Sequence, residues 1–294
     1  MNLYVESHGS GAQLIMIHGW GMHGGFWDSV VPKLAKQFTV HCLDLPGHGY
    51  SNFSTPVVGE CVARGRQSAG GEERQVEHNN ILPLIQPLSR LQERGLEQID
   101  SIVDALSAQF TEPLNVCGWS LGGLVALRWA QLAPHQVQRL VVVASTPCFA
   151  ERKDWLFGVP AETLQQFSAD LEQDYVAMLR RFLTLLVRGG GNERELLADL
   201  RSRLFSHGQP DINALREGLE ILRDVDFRTE LPNISQPVLL IAGECDKLTP
   251  AEASVTIAQA LPNARVVKIA GAAHVPFLSQ PDFFVELISD FLHG

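Results

Sequence analysis

The chain has 294 residues, a formal net charge of -10, 45% hydrophobic and 19% charged residues, values that suit one large soluble globular unit able to bury a sizeable core. The acidic balance argues against a nucleic-acid-binding surface, which needs clustered positive charge, and no apolar run reaches the roughly 20 residues of a membrane span. Five cysteines occur without a Cys-x-x-Cys pairing, so a reduced chain without a disulfide framework is expected. Met1-Asn2-Leu3-Tyr4-Val5-Glu6 is not a basic segment leading into an apolar one, so no secretion signal is read. The expectation is a cytoplasmic, monomeric protein. Ten histidines lie scattered without metal-ligand spacing, and neither a metal nor another cofactor is expected.

Leu14-Ile15-Met16-Ile17 is a continuous apolar run, as in a strand buried on both faces. It ends at His18-Gly19-Trp20-Gly21. A helix is predicted from Phe26 to Phe38, with Trp27, Val30, Val31 and Leu34 on one face, and Thr39–Leu43 is the next strand. Asp44-Leu45-Pro46-Gly47-His48-Gly49-Tyr50-Ser51 then reads as a turn-rich loop. From Asn52 the composition becomes polar, Gly-rich and aperiodic, so residues 52–94 are read as a flexible surface insertion, with a functional lid as the sharper alternative. Helical spacing resumes at Leu82, and Ile99, Ile102, Val103, Leu106 and Phe110 form an apolar face. Cys42 and Cys117 fall inside strand-like runs and read as small buried hydrophobes.

Leu114-Asn115-Val116-Cys117 is a short strand, followed by Gly118-Trp119-Ser120-Leu121-Gly122-Gly123 and a helical pattern to Ala133. Leu140–Ala144 is another buried strand. From about Cys148 to Pro232 only helical periodicity is found, carried by Phe167, Leu171, Tyr175, Met178, Leu179, Phe182, Leu183 and Leu186. Strands return at Pro237–Ala242 and Arg265–Ile269, each followed by a helix, Ala251–Leu261 and Pro281–Leu292. Alternating strands and helices imply a mostly parallel sheet with right-handed crossovers. Residues 1–147 and 233–294 are therefore expected to form an α/β core, and 148–232 an α-helical cap.

A strand turning into a helix through Gly-x-Ser-x-Gly is a nucleophile elbow, in which the serine occupies a strained, exposed turn and the glycines let the chain pass. Ser120 then needs a base and an acid to orient that base. Asp246 and His274 each follow a predicted strand, in the order Ser, Asp, His. Other histidines precede the serine or lie in the helical region or at the fraying end. Asp224 and Asp226 are the runner-up acids, but they follow helical pattern. The backbone N–H groups of Leu121 and Trp20 are expected to form an oxyanion hole. The Trp20 indole either walls the substrate pocket or is purely structural. Between residues 180 and 203, six arginines (Arg180, Arg181, Arg188, Arg194, Arg201, Arg203) stand against three carboxylates. They read either as solvated helix faces or as a docking patch for an acidic partner.

His18-Gly-Trp-Gly, Asp44-Leu-Pro-Gly-His-Gly, Gly118-Trp-Ser-Leu-Gly-Gly and Ala272-Ala-His-Val-Pro-Phe resemble the carboxylesterases of the α/β-hydrolase fold. Ala144-Ser-Thr-Pro-Cys-Phe, Arg181-Phe-Leu-Thr-Leu and Gly218-Leu-Glu-Ile-Leu narrow the resemblance to the methyl ester esterases that act on pimeloyl chains held by acyl-carrier protein in biotin synthesis. That resemblance implies attack by Ser120 on the methyl ester carbonyl, loss of methanol, and hydrolysis of the acyl-enzyme by water activated through His274. It implies a substrate pocket of Trp20, Ser120, Leu121, Phe182, Leu183, Thr184, Leu185, Leu186 and His274. It also implies an acidic carrier protein as partner for the arginines, with small esters as further substrates. The stretch 52–94 is longer than the family's connection there. Residues alone leave other readings open: a general short-chain esterase, a carbon–carbon bond hydrolase, or a non-catalytic binding protein on the same fold.

Overall fold

The structure, a computed structural model, describes residues 3–53 and 88–294. Seven strands form one sheet in the order β1-β3-β2-β4-β5-β6-β7: β1 Val5–Gly9, β2 Ala12–Ile17, β3 Phe38–Leu43, β4 Leu114–Trp119, β5 Val137–Val143, β6 Val238–Gly243 and β7 Ala264–Ile269. Strand β1 runs antiparallel to β3, and every other neighbouring pair is parallel. All six predicted strands are present to within a few residues. The apolar stretch of β2 and the whole of β4 and β6 are buried, which is why they read as unbroken apolar runs. β1 was not predicted. It is an edge strand of mixed polarity, Val-Glu-Ser-His-Gly, with no residue fully buried.

The first crossover corrects the predicted helix over 26–38. A 3₁₀ turn, Gly24–Trp27, is followed by a single helical turn, α1 Val31–Leu34. Pro32 is the reason. It has no N–H for the Asp28 carbonyl four residues back, and its ring would clash there. The apolar side chains still point inward: Trp27, Val30, Val31 and Leu34 are all buried.

Helix α2, Leu88–Gln109, leads into β4, so the last residues of the segment read as an insertion are helical. Residues 54–87, including the resumption of helical spacing at Leu82 and the lid alternative, lie outside the described residues. After the elbow, α3 Leu121–Leu132 is buried over its first ten residues, as suits a helix apolar on every side. Arg128 ties it to its neighbours by ion pairs with Asp100 and Glu230.

Between β5 and β6 the chain forms α4 Ala161–Val187, α5 Glu193–Arg203 and α6 Ile212–Asp224. Backbone dihedrals at Asp174 (φ -158°, ψ 88°) interrupt α4, and its carboxylate accepts the Ala177 N–H as the cap of the second half. A 3₁₀ turn, Arg228–Asn233, returns the chain to the sheet. Helices α7 Ala251–Ala260, α8 Pro276–Ser279 and α9 Pro281–His293 complete the described structure. None of the described helices is long and apolar enough to cross a membrane.

Candidate active site

The carboxyl ends of β4, β6 and β7 deliver the three residues singled out from the sequence. Ser120 follows β4 directly, with φ 54° and ψ -120°, in the left-handed half of conformational space that side chains disfavour. The flanking glycines are sterically required. A Cβ at Gly118 would lie 2.2 Å from the Gly122 carbonyl oxygen, and one at Gly122 would lie 2.3 Å from the Ile17 carbonyl oxygen. The Ser120 N–H donates to the Val143 carbonyl at 3.0 Å, which fastens the turn to β5.

Asp246 lies three residues past β6 and is almost fully buried. One carboxylate oxygen accepts the N–H groups of Leu248 and Thr249 at 2.8 and 3.1 Å. The other accepts the Thr249 hydroxyl at 2.7 Å and His274 Nδ1–H at 2.8 Å. The aspartate is thus held from four directions and fixes the His274 tautomer with its proton on Nδ1.

His274 must reach across from β7, which β5 and β6 separate from β4. The loop that carries it folds over the end of β6, where a Cβ at Gly243 would lie 2.0 Å from the Ala273 carbonyl oxygen. Two bonds grip the histidine backbone: its N–H donates to the Leu186 carbonyl at 3.0 Å, and its carbonyl accepts the Trp119 indole N–H at 2.8 Å. His274 Nε2 is buried and has no hydrogen-bond partner among the described residues. Nε2 and Ser120 Oγ are not hydrogen-bonded to each other, but both residues line one cavity. An unpaired, buried ring nitrogen in the same cavity as a serine is an arrangement that general-base chemistry can use.

The loop His18–Gly21 packs against the elbow: a Cβ at Gly19 would lie 3.2 Å from Ser120 Cβ. The backbone N–H groups of Trp20 and Leu121 meet no protein acceptor among the described residues. His18 orients the first of these donors. Its Nε2 accepts the Leu45 N–H at 2.9 Å, so the proton sits on Nδ1, which donates to the Gly19 carbonyl at 2.8 Å. Because the peptide is planar, fixing that carbonyl fixes the Trp20 N–H on its far side. Burial, reinforced by the neighbouring His48, pushes the His18 pKa down to about 3, so it stays neutral.

The cavity measures about 390 Å³ with its mouth included, and its walls are nearly all apolar. Of the residues expected to line it, Trp20, Ser120, Phe182 and His274 do. The Trp20 indole donates to the Leu215 carbonyl of α6 at 2.8 Å and meets Phe182 edge-on, with ring centroids 5.2 Å apart. Thr184 is exposed and Leu185 half-buried, while Leu183 and Leu186 are buried in helix packing. Five consecutive helical residues spread over the whole circumference and cannot share one pocket. Leu121 is likewise absent from the lining.

The remaining walls were missed: Phe149 and Val159 after β5, Leu164 and Phe167 of α4, Leu219 and Leu222 of α6, and Leu248 beside Asp246. Phe167 stood in the apolar period of α4, and Leu219 and Leu222 in the Gly218-Leu-Glu-Ile-Leu stretch, but nothing in the spacing told pocket from core. Asp224 and Asp226, the runner-up acids, are engaged by Arg223 and Arg228.

The cap arginines divide. Arg181 is paired with Asp170 at 2.6 Å. Arg203 bonds Asp199 at 2.9 Å and donates to the Gly25 carbonyl. Arg180, Arg188, Arg194 and Arg201 are exposed and have no ion-pair partner among the described residues.

Folding also gathers His23, Asp44 and His207, whose ligand atoms lie within 4.8 Å of one another. These groups already have hydrogen-bond partners. His23 Nδ1 accepts the Gly25 N–H, so its Nε2–H donates to the Arg203 carbonyl. His207 Nδ1 donates to Asp44 at 3.3 Å, and the two imidazoles stack with centroids 4.1 Å apart. With both His23 nitrogens in use and the rings face to face, the set suits a hydrogen-bonded clasp better than metal ligation.

A sequence-family model described as the alpha/beta hydrolase fold matches residues 13–281. The chain belongs to the α/β-hydrolase family. Within it, the hydrolase is 39% identical over 284 residues to the pimeloyl-[acyl-carrier protein] methyl ester esterase of Nitrosomonas europaea, covering 97% of both chains. It is 35% identical to the esterase of the same name from Nitrosospira multiformis, covering 99% of this chain and 98% of the other. Among solved structures, an esterase from Exiguobacterium antarcticum superposes with a TM-score of 0.78 at 18% identity, over 99% of this chain and 96% of that one. An enol-lactonase from Burkholderia xenovorans gives 0.71 at 19% identity, with 99% and 96% covered. At such identities these two structures speak for the fold.

Proposed function

We propose that this hydrolase is a serine carboxylesterase that cleaves the methyl ester of a pimeloyl chain carried on acyl-carrier protein, giving the free carboxylate and methanol in biotin biosynthesis. The observation that carries the reading is the meeting of Ser120 and the Asp246-anchored His274 in an apolar cavity roofed by residues of α4 and α6. Similarity to esterases of that name over almost the whole chain supports the substrate. In the first half-reaction His274 Nε2 takes the Ser120 proton as Oγ attacks the ester carbonyl. The tetrahedral oxyanion is received by the N–H groups of Trp20 and Leu121. Methanol departs with the proton held by His274, leaving an acyl-serine. In the second, His274 removes a proton from water, which attacks the acyl carbonyl and releases Ser120 with its proton restored.

The cavity walls fit a polymethylene chain and, among the described residues, contain no Lys or Arg side chain, so the neutral ester suits the site better than the anionic product. The residues between 148 and 232 act as its cap. A chain of net charge -10 repels an acidic carrier at long range, so the exposed arginines Arg180, Arg188, Arg194 and Arg201 provide the local attraction, with Arg181 and Arg203 contributing less because carboxylates already hold them.

The test is methanol release from methyl-pimeloyl-carrier protein, run beside a p-nitrophenyl ester. Turnover of both is expected. Replacing Arg180 and Arg188 by Ala should raise KM for the carrier substrate several-fold, more so at low salt, and leave the small ester unaffected. Activity confined to the small ester would make the protein a general esterase, and equal effects on both substrates would remove the docking role.

A further inference from the structure

Ser145 belongs to no part of the machinery described so far, yet it is 1% exposed, beside the elbow, and bonded to it. It follows Ala144, which like Ser120 has positive φ (44°), at the end of β5. Its hydroxyl donates to the Ser120 carbonyl at 2.6 Å. That carbonyl and the Leu121 N–H are the two ends of one planar peptide and point in opposite directions. A donor pulling on the oxygen therefore fixes the direction of the N–H and, by polarising the amide, strengthens it as a donor.

We propose that Ser145 is a positioning residue that sets and polarises the Leu121 oxyanion donor through the Ser120 carbonyl. It does for Leu121 what His18 does for Trp20 from the other side of the site, so each donor peptide is held at its carbonyl by a buried side chain. The inference rests on the esterase reading above. A second, independent observation supports it. Gly123, the extra glycine after the Gly-x-Ser-x-Gly pattern, is the residue that leaves room for this contact. A Cβ there would lie 2.5 Å from Ser145 Cβ and 2.6 Å from Ser145 Oγ. The elbow turn requires Gly118 and Gly122, whereas Gly123 leaves room for the Ser145 side chain, Cβ and hydroxyl together, and for the Gly118 carbonyl oxygen, which a Cβ would approach to 3.0 Å. The Gly123 and Leu124 N–H groups also reach the Ser120 carbonyl, at 2.9 and 3.2 Å. Removing the hydroxyl therefore weakens the donor without freeing the turn.

The experiment compares wild type, Ser145→Ala, Ser145→Cys and Gly123→Ala on a p-nitrophenyl ester, with a reversible trifluoromethyl ketone as tetrahedral mimic and a non-cleavable ether analogue as ground-state ligand. Losing a whole oxyanion donor costs on the order of 10²–10³ in turnover; weakening one should lower kcat about ten-fold in Ser145→Ala. KM and ether affinity should stay within about two-fold, while ketone affinity falls in step with kcat. Ser145→Cys, whose thiol is a poor donor, should behave alike, which guards against a folding defect peculiar to one variant. Gly123→Ala, which pushes the whole Ser145 side chain away from the Ser120 carbonyl, should lower kcat and ketone affinity at least as much as Ser145→Ala. Unchanged kcat, or equal losses for ketone and ether, would overturn the proposal. Wild type inert toward every ester would overturn the esterase reading instead. Activity limited to small esters would leave the role of Ser145 standing.

Discussion

Ser120 pays in backbone strain for its exposure to substrate. Its positive φ costs a residue with a side chain about 1–3 kcal/mol, offset by bonds from its N–H to Val143 and onto its carbonyl from Ser145 and the first turn of α3. Two substitutions separate strain from chemistry. Ser120→Ala keeps the strain and loses the hydroxyl proposed as nucleophile; Ser120→Gly loses both. Ester hydrolysis should vanish in each, while urea denaturation should find Ser120→Gly more stable than Ser120→Ala by about 1 kcal/mol. An Ala variant as stable as the Gly variant would mean that the elbow is not strained. At this scale the sequence was informative about which residues come together and silent about what supports them. Ser120, Asp246 and His274 are recognisable because each follows an apolar run in a fixed order. Thr249, Trp119 and Ser145 act through bonds to residues distant in sequence or through backbone carbonyls, which leave no periodic trace.

Helix α6, inserted between β5 and β6, shows how an element outside the sheet shapes the core. Gly218 is buried against the Trp20 indole, where a Cβ would lie 2.6 Å from Cδ1 and 3.0 Å from Nε1. An exposed helical Gly→Ala change would gain about 1 kcal/mol from propensity. Here Gly218→Ala should instead lower the melting temperature and kcat, because the indole and the peptide bearing the Trp20 N–H must move. Adding Trp20→Phe, which keeps the backbone donor and removes the crowded ring, should restore part of both; no recovery would show that the clash lies elsewhere. Elements were legible where one physical rule dominated. Parallel strands buried on both faces appear as unbroken apolar runs. β1 escaped notice because an edge strand needs no such run, and the helix over 26–38 was overextended because Pro32 outweighs an otherwise helical period. Residues 182–186 were read as one pocket wall, yet only Phe182 reaches the cavity.

For the molecule as a whole, buried histidines set the response to acid. Burial pushes His18 to about 3 and His23 to about 4, both below the 6.5 of an unfolded chain. His48 is lowered as well, also by burial. A lowered histidine pKa means that the unfolded state binds more protons as pH falls below 6.5, so their stabilisation is complete above that pH and is lost toward pH 4 and 3. Denaturation midpoints measured from pH 7 to pH 4 should fall steadily, with a slope approaching about 1.4 kcal/mol per pH unit for each proton taken up. A flat profile over that range would show that these rings are charged in the folded state. Asp44 works in the same direction at lower pH. Burial alone would raise its carboxyl, but the N–H groups of Gly24 and Tyr50, which donate to it at 2.6 and 2.8 Å, hold it below the usual range.

The grip on His274 has a consequence for anyone who would re-engineer substrate range. Its N–H rests on the Leu186 carbonyl, near the end of a helix that also supplies walls of the cavity. Exchanging the segment between β5 and β6 for that of another hydrolase would replace more than a pocket lining, because the graft would have to present a carbonyl at that same point. A chimera that reshapes the cavity without it alters the pose of His274, the base in the mechanism proposed above, and its loss of turnover would be mistaken for poor substrate fit.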